Sequence, residues 1–182
     1  MYYALLYYPR ILNDGFHAFR NKYEPYAKLL AEHIPFVYPV PEKIGWKALE
    51  NHIWKVLSHW EPFFIHISGH QLTWDNWLIM TVKEGEENIY KLHDELYTGI
   101  LTPHLRVDLP YIPHIAMGLF SKENYDTDNP TFQSTLDENK YQKALSEVEE
   151  MQMDFWRTIE SLTLVKVNEH YTKCWDIEEF RF

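Results

Sequence analysis

Hydrophobic positions along the chain follow two rhythms, a period of two and a period near 3.6. Tyr2-Tyr-Ala-Leu-Leu-Tyr-Tyr8 is aromatic and β-prone and is closed by Pro9, which predicts a first strand. From Asp14, a candidate N-cap, Phe16, Phe19 and Arg20 mark a helix, and Pro25 opens a further turn carrying Tyr26, Leu29 and Leu30. His33-Ile-Pro-Phe-Val-Tyr38 reads as a short strand confined by Pro39 and Pro41. Between Gly45 and Trp60, the residues Trp46, Leu49, Ile53, Val56, Leu57 and Trp60 recur at helical spacing, so one face of that helix must be core.

Pro62 then opens Phe63-Phe-Ile-His-Ile-Ser68, and after a turn with Gly69, Asp75 and Asn76 comes Trp77-Leu-Ile-Met-Thr-Val82, which predicts an antiparallel hairpin ended by Gly85. A helix with Ile89, Leu92, Leu96 and Ile100 in line follows, then a loop to Pro113 and a strand His114-Ile-Ala-Met-Gly-Leu-Phe120. A long polar loop is expected from Ser121 to Thr135. A helix over Leu136 to Trp156 carries Tyr141, Leu145, Val148, Met151 and Phe155 on one stripe, and strands Ser161 to Val167 and Thr172 to Phe182 finish the chain.

Read in order, the elements are helix, histidine-bearing strand, helix, strand, strand, stated twice. A repeat of about 80 residues, approximately 10–84 and 85–182, predicts one α+β domain over 1–182 in two lobes about a pseudo-twofold axis. Antiparallel sheets then line a central cleft and helices cover the outside. His33 and His114 fall at equivalent points of the two halves, so the axis would set two imidazoles face to face, the arrangement of a general acid and a general base.

Composition narrows the partners. The 182 residues suit one compact domain, and 46% hydrophobic content with 7 Trp, 13 Tyr and 10 Phe is enough core to exclude general disorder. A formal charge of −10 argues against a long nucleic-acid tract or an anionic membrane surface as partner. The single cysteine, Cys174, cannot form an internal disulfide. With no charged leader before an apolar segment, a cytoplasmic protein is expected. The longest apolar stretches fall short of the ~20 residues a membrane-spanning helix needs. Gly-rich phosphate loops, nucleophile elbows and HExxH spacing are all missing, so no metal and no cofactor is expected.

Four segments, in this order, carry a resemblance: Arg20-Asn-Lys-Tyr-Glu-Pro25 leading to His33-Ile-Pro-Phe, Pro62-Phe-Phe-Ile-His-Ile-Ser-Gly69, Tyr111-Ile-Pro-His-Ile-Ala-Met117, and Leu162-Thr-Leu-Val-Lys166. Over nearly its whole length the chain resembles the two-histidine (2H) phosphoesterases, which include the proteins named 2′-5′ RNA ligases and 2′,3′-cyclic phosphodiesterases. The resemblance implies a metal-independent phosphodiesterase acting on 2′,3′-cyclic or related phosphates of a small nucleotide or an RNA end, with His33 and His114 as catalytic acid and base. A monomer is expected. Members carry His-x-Thr or His-x-Ser on both strands, and residues i and i+2 of a strand face the same way, so imidazole and hydroxyl both reach the phosphate.

This sequence departs from that pattern at both hydroxyls: Pro35 and Ala116 stand in their places. Losing one preorganised oxyanion donor costs about 10²- to 10³-fold in rate. Ser68 and His66, which share a strand face, and Lys166 are the candidate replacements for binding substrate. The alternative is a protein of the same fold, degenerate in catalysis, that holds a nucleotide or phospho-ligand. A further alternative joins His66, His70 and His114 around a metal ion.

Overall fold

The computed structural model describes residues 1–122 and 135–182, so most of the expected polar loop from Ser121 to Thr135 lies outside the described residues. In chain order the elements are β1 (Tyr2–Tyr7), α1 (Asp14–Tyr23), β2 (Ile34–Pro41), α2 (Trp46–Leu57), β3 (Phe63–Leu72), β4 (Trp77–Glu84), α3 (Glu86–Leu96), β5 (His114–Leu119), α4 (Glu138–Glu149), β6 (Asp154–Ile159), β7 (Ser161–Val167) and β8 (Cys174–Arg181). Short 3₁₀ turns at Glu42–Ile44 and Gly99–His104 follow β2 and α3. Among the described residues, no helix is long and apolar enough to cross a membrane.

Two four-stranded antiparallel sheets carry the fold, with strand orders β2-β1-β7-β8 and β5-β4-β3-β6. The architecture is the α+β one expected. In each sheet an inner strand, β1 or β4, leads through a helix to an edge strand, β2 or β5. Each connecting helix packs beside the edge strand of the other sheet, α1 against β5 and α3 against β2. The two edge strands with a histidine at their start are thereby drawn together.

Alternation decides which face each strand buries. Tyr3, Leu5 and Tyr7 of β1, Ile65 and Ile67 of β3, Leu78, Met80 and Val82 of β4, and Ile115 and Met117 of β5 enter one large core with Phe16, Phe19, Ile53, Leu57, Ile89 and Leu92 of the helices. On the first sheet the opposite face is apolar as well, since Ala4, Leu6, Val165 and Val167 form a second, smaller cluster. That cluster becomes the floor of the cavity described below.

Three local expectations need correction. Asn13, and not Asp14, caps α1: its extended backbone lets its Oδ1 accept the Phe16 amide at 2.9 Å, while Asp14 takes the first helical position, where a negative charge favours the helix dipole. β3 runs on past Ser68 through a bulge at Gly69 to Leu72 before Thr73 and Asn76 turn the hairpin. The last helix stops at Glu149. Met151, Met153 and Phe155 pack on the core at every second position, which is a strand's period, and the segment becomes β6 beside β3. Met151 and Phe155 satisfy helical spacing too, so the stripe alone could not separate the two.

Candidate functional site

His33 immediately precedes β2 and His114 is the first residue of β5. Both line one cavity of about 540 Å³, and so do Pro35 and Ala116, two residues further along the same strands. Ala4, Leu6, Val165 and Val167 line it from the first sheet. The turn after α1 contributes Tyr26, Leu29 and Leu30, and the segment after α3 contributes His104, Leu105, Arg106 and Leu109. A larger concavity of about 890 Å³ shares Leu29, Leu30 and Cys174 with this one but reaches neither histidine.

The two imidazoles are held in the same way. His33 Nδ1 lies 2.8 Å from the Ala31 carbonyl, and His114 Nδ1 lies 2.5 Å from the Ile112 carbonyl, in each case the residue two before. A carbonyl can only accept, so Nδ1 must carry the proton and Nε2 keeps its lone pair in the neutral ring. Burial pushes the His33 imidazole down to about 4, with the charges of Arg20 and His114 adding to it and the Ala31 bond opposing. Burial also lowers His114, against the Ile112 bond and the nearby Asp75 carboxylate. Both rings are therefore neutral at pH 7.

Each edge strand is tied by a side chain that crosses from elsewhere. The Tyr111 hydroxyl donates to the Pro35 carbonyl at 2.8 Å, and Arg20 Nε donates to the Ala116 carbonyl at 3.1 Å. Arg20 is 4% exposed and lies 2.9 Å from Glu24 and 3.8 Å from Glu32, the residue next to His33. Glu32 in turn accepts the Ile11 amide. A buried charge so surrounded holds its neighbours in place, and removing one member of such a set costs about 3–5 kcal/mol. Arg20 and Tyr111 lie in the segments that carry the resemblance, yet their reach across the molecule left no local signal.

Of the candidate substrate-binding residues His66, Ser68 and Lys166, none lines the cavity. His66 and Ser68 do share the face of the second sheet that carries His114, but two strands away. There His66 stacks on Trp156 at 4.4 Å and meets Asp154 at 3.0 Å and Glu84 at 3.7 Å, while the Ser68 carbonyl accepts the Thr81 hydroxyl. Lys166 sits between Val165 and Val167, so alternation turns it to the opposite face of β7, where it pairs with Glu42 at 2.5 Å. Besides the two histidines and Cys174, the residues with polar groups that line the cavity are Glu24, Tyr26, Tyr38, Trp77, His104, Arg106 and Tyr171. Cys174 lines it too, but burial and Asp176 push its thiol up to about 11, which keeps it protonated. Among the described residues, no group of three or more His, Cys, Asp or Glu could hold a metal ion, so His66, His70 and His114 do not form one.

The family model described as the 2′-5′ RNA ligase superfamily matches residues 8–169. No curated protein matches the sequence. Among solved structures, the chain is similar to Escherichia coli LigT complexed with 3′-AMP, with a TM-score of 0.63 at 11% identity, covering 100% of this chain and 96% of that one. It is similar also to a protein described as a phosphoesterase, with a TM-score of 0.61 at 10% identity and coverage of 100% and 98%. TT0787 of Thermus thermophilus gives a TM-score of 0.59 at 13% identity, with coverage of 100% and 97%. At such identities the likeness is one of fold.

Proposed function

The chain belongs to the 2′-5′ RNA ligase superfamily, the LigT-like 2H phosphoesterases, and from that premise we propose that it hydrolyses 2′,3′-cyclic or related phosphates on small nucleotides or RNA ends without a metal ion. The observation that carries the reading is the matched pair of imidazoles. Each is pinned through Nδ1–H to the carbonyl two residues back, and both line one cavity.

In this reading a water attacks phosphorus and gives its proton to one Nε2, while the other Nε2–H protonates the ribose oxygen that leaves. One P–O bond forms and one breaks, and the two histidines end with their protonation exchanged. His33 is the base: Arg20 and His114 both oppose its protonation, so its lone pair is free. His114 is the acid, because the Asp75 carboxylate favours its charged form. A phosphate anion between the rings offsets part of the desolvation and raises both. Arg106, which Asp108 holds through Nε at 2.8 Å and Nη2 at 2.6 Å, is the cationic side chain of the cavity lining that stands in for the absent strand hydroxyls against the non-bridging oxygens. A cytoplasmic setting suits the lone, protonated Cys174.

A second reading, binding without turnover, is favoured by one observation: the positions two after each histidine are Pro35 and Ala116, and none of Ser68, His66 and Lys166 lines the cavity in compensation. Phosphorus NMR of 2′,3′-cyclic nucleotides incubated with the protein separates the two. Hydrolysis predicts a single phosphomonoester isomer, formed in the presence of a chelator and absent with His33→Ala or His114→Ala. No product, or product that both variants still make, would leave the binding reading.

A further inference from the structure

β2 and β5, which bring His33 and His114 to the cavity, are edge strands, each paired along one side only among the described residues. A strand held on one side is free to shift, and a displacement of about 1 Å between reacting groups costs up to about 10²-fold in rate. The fold answers with a reciprocal pair of side-chain ties. Tyr111, three residues before His114, gives its hydroxyl proton to the Pro35 carbonyl, two residues after His33. Arg20, in the helix that leads to His33, gives its Nε proton to the Ala116 carbonyl, two residues after His114. Each histidine strand is thus gripped at the same distance from its imidazole, by a side chain from the segment that leads to the other histidine.

Arg20 does more than close one tie. Its Nη2 donates to the Glu24 carboxylate at 2.9 Å and to the Leu30 carbonyl at 3.4 Å, and its Nη1 stands 3.8 Å from Glu32. Leu30 and Glu32 flank Ala31, whose carbonyl takes the His33 Nδ1 proton. One guanidinium fork therefore holds both the turn that orients His33 and the strand that carries His114. The guanidinium keeps its charge, and burial holds the Tyr111 hydroxyl protonated, so both ties keep their donors at pH 7. Neither side chain lines the histidine cavity.

We infer that Arg20 and Tyr111 are positioning residues for the reaction: acting through the Ala116 and Pro35 carbonyls, they fix how His114 and His33 face each other, and neither touches the phosphate. This rests on the reading of the histidine cavity as a phosphodiester site. The ties stand in the same register on the two strands, so loosening either one displaces its own imidazole against the other.

Two variants separate positioning from plain stability. Tyr111→Phe removes one hydroxyl and keeps the ring's stack on His93, and Arg20→Lys keeps the charge but not the fork. On a 2′,3′-cyclic nucleotide, well below the Tm of each variant, kcat should fall about tenfold in Tyr111→Phe and about 10²-fold in Arg20→Lys, while KM stays within about threefold. NMR of the imidazole signals under titration with inorganic phosphate gives a second readout. In the wild type both rings should respond with one midpoint. In Tyr111→Phe the His33 response should shrink to about half or less while that of His114 is kept. A wild-type kcat in either variant, or ring responses that weaken equally in Tyr111→Phe, overturns the inference. Should Arg20→Lys fail to fold, Tyr111→Phe decides alone. Wild-type ring responses without turnover, together with the selective loss at His33, would keep the ties and remove the hydrolytic reading. Turnover at an unchanged rate in both variants would do the reverse, and a wild type in which phosphate moves neither ring overturns both.

Discussion

A single backbone carbonyl sets the chemistry of each histidine. Because Ala31 and Ile112 take the Nδ1 protons, Nε2 is the only atom through which either ring can exchange a proton with substrate. The sequence pointed to both rings through their matched places in the two halves, but the carbonyls come from backbone turns that no side-chain pattern announces. The pH dependence follows from the lowered affinities. A base must be unprotonated and an acid protonated, so kcat/KM should fall as pH drops through about 4, with His33, and fall again as pH rises through a value below 6.5, with His114. A pH–rate profile rising above pH 7 would contradict these roles. Ala116→Ser restores a hydroxyl two residues after His114, and steady-state kinetics should show kcat raised by about tenfold or more. An unchanged kcat would mean that another donor already fills that place.

At the scale of elements, the helical stripe of α2 and the alternation of β1 to β5 could be read directly, because each has one face in core and one outside it. β6 could not, since its core residues fit both periods and only its place beside β3 decides the matter. The tight join between β4 and α3 depends on Gly85, at φ +77, where a Cβ would come 2.3 Å from the Phe64 carbonyl oxygen. Gly85→Ala combines that clash with a left-handed backbone and should cost at least about 2 kcal/mol in denaturant unfolding. A loss below about 0.5 kcal/mol would show that the join relaxes freely. Arg106, in the segment after α3, lines the cavity although its ion-pair partner is the local Asp108, so only the tertiary surroundings mark its place.

For the molecule as a whole, the β1-α1-β2 and β4-α3-β5 units repeat one plan, and we read them as copies whose edge strands meet at the cavity. Burying three histidines in neutral form has a cost that appears in acid. His33, His93 and His114 all titrate below 6.5 in the fold, so between that pH and about 4 the unfolded chain binds more protons. Stability should be full above pH 6.5 and fall progressively as pH drops toward 4, seen as a falling Tm; a Tm flat over that window would contradict the burial of these rings. The central claim, that two histidines act as one unit across a shared cavity, is tested most directly by the kcat of His33→Ala, His114→Ala and the double variant on a 2′,3′-cyclic nucleotide. The account predicts that each single substitution costs at least about 10²-fold and that the double variant is scarcely worse than either. A single variant at the wild-type rate, or losses that simply multiply, would contradict it.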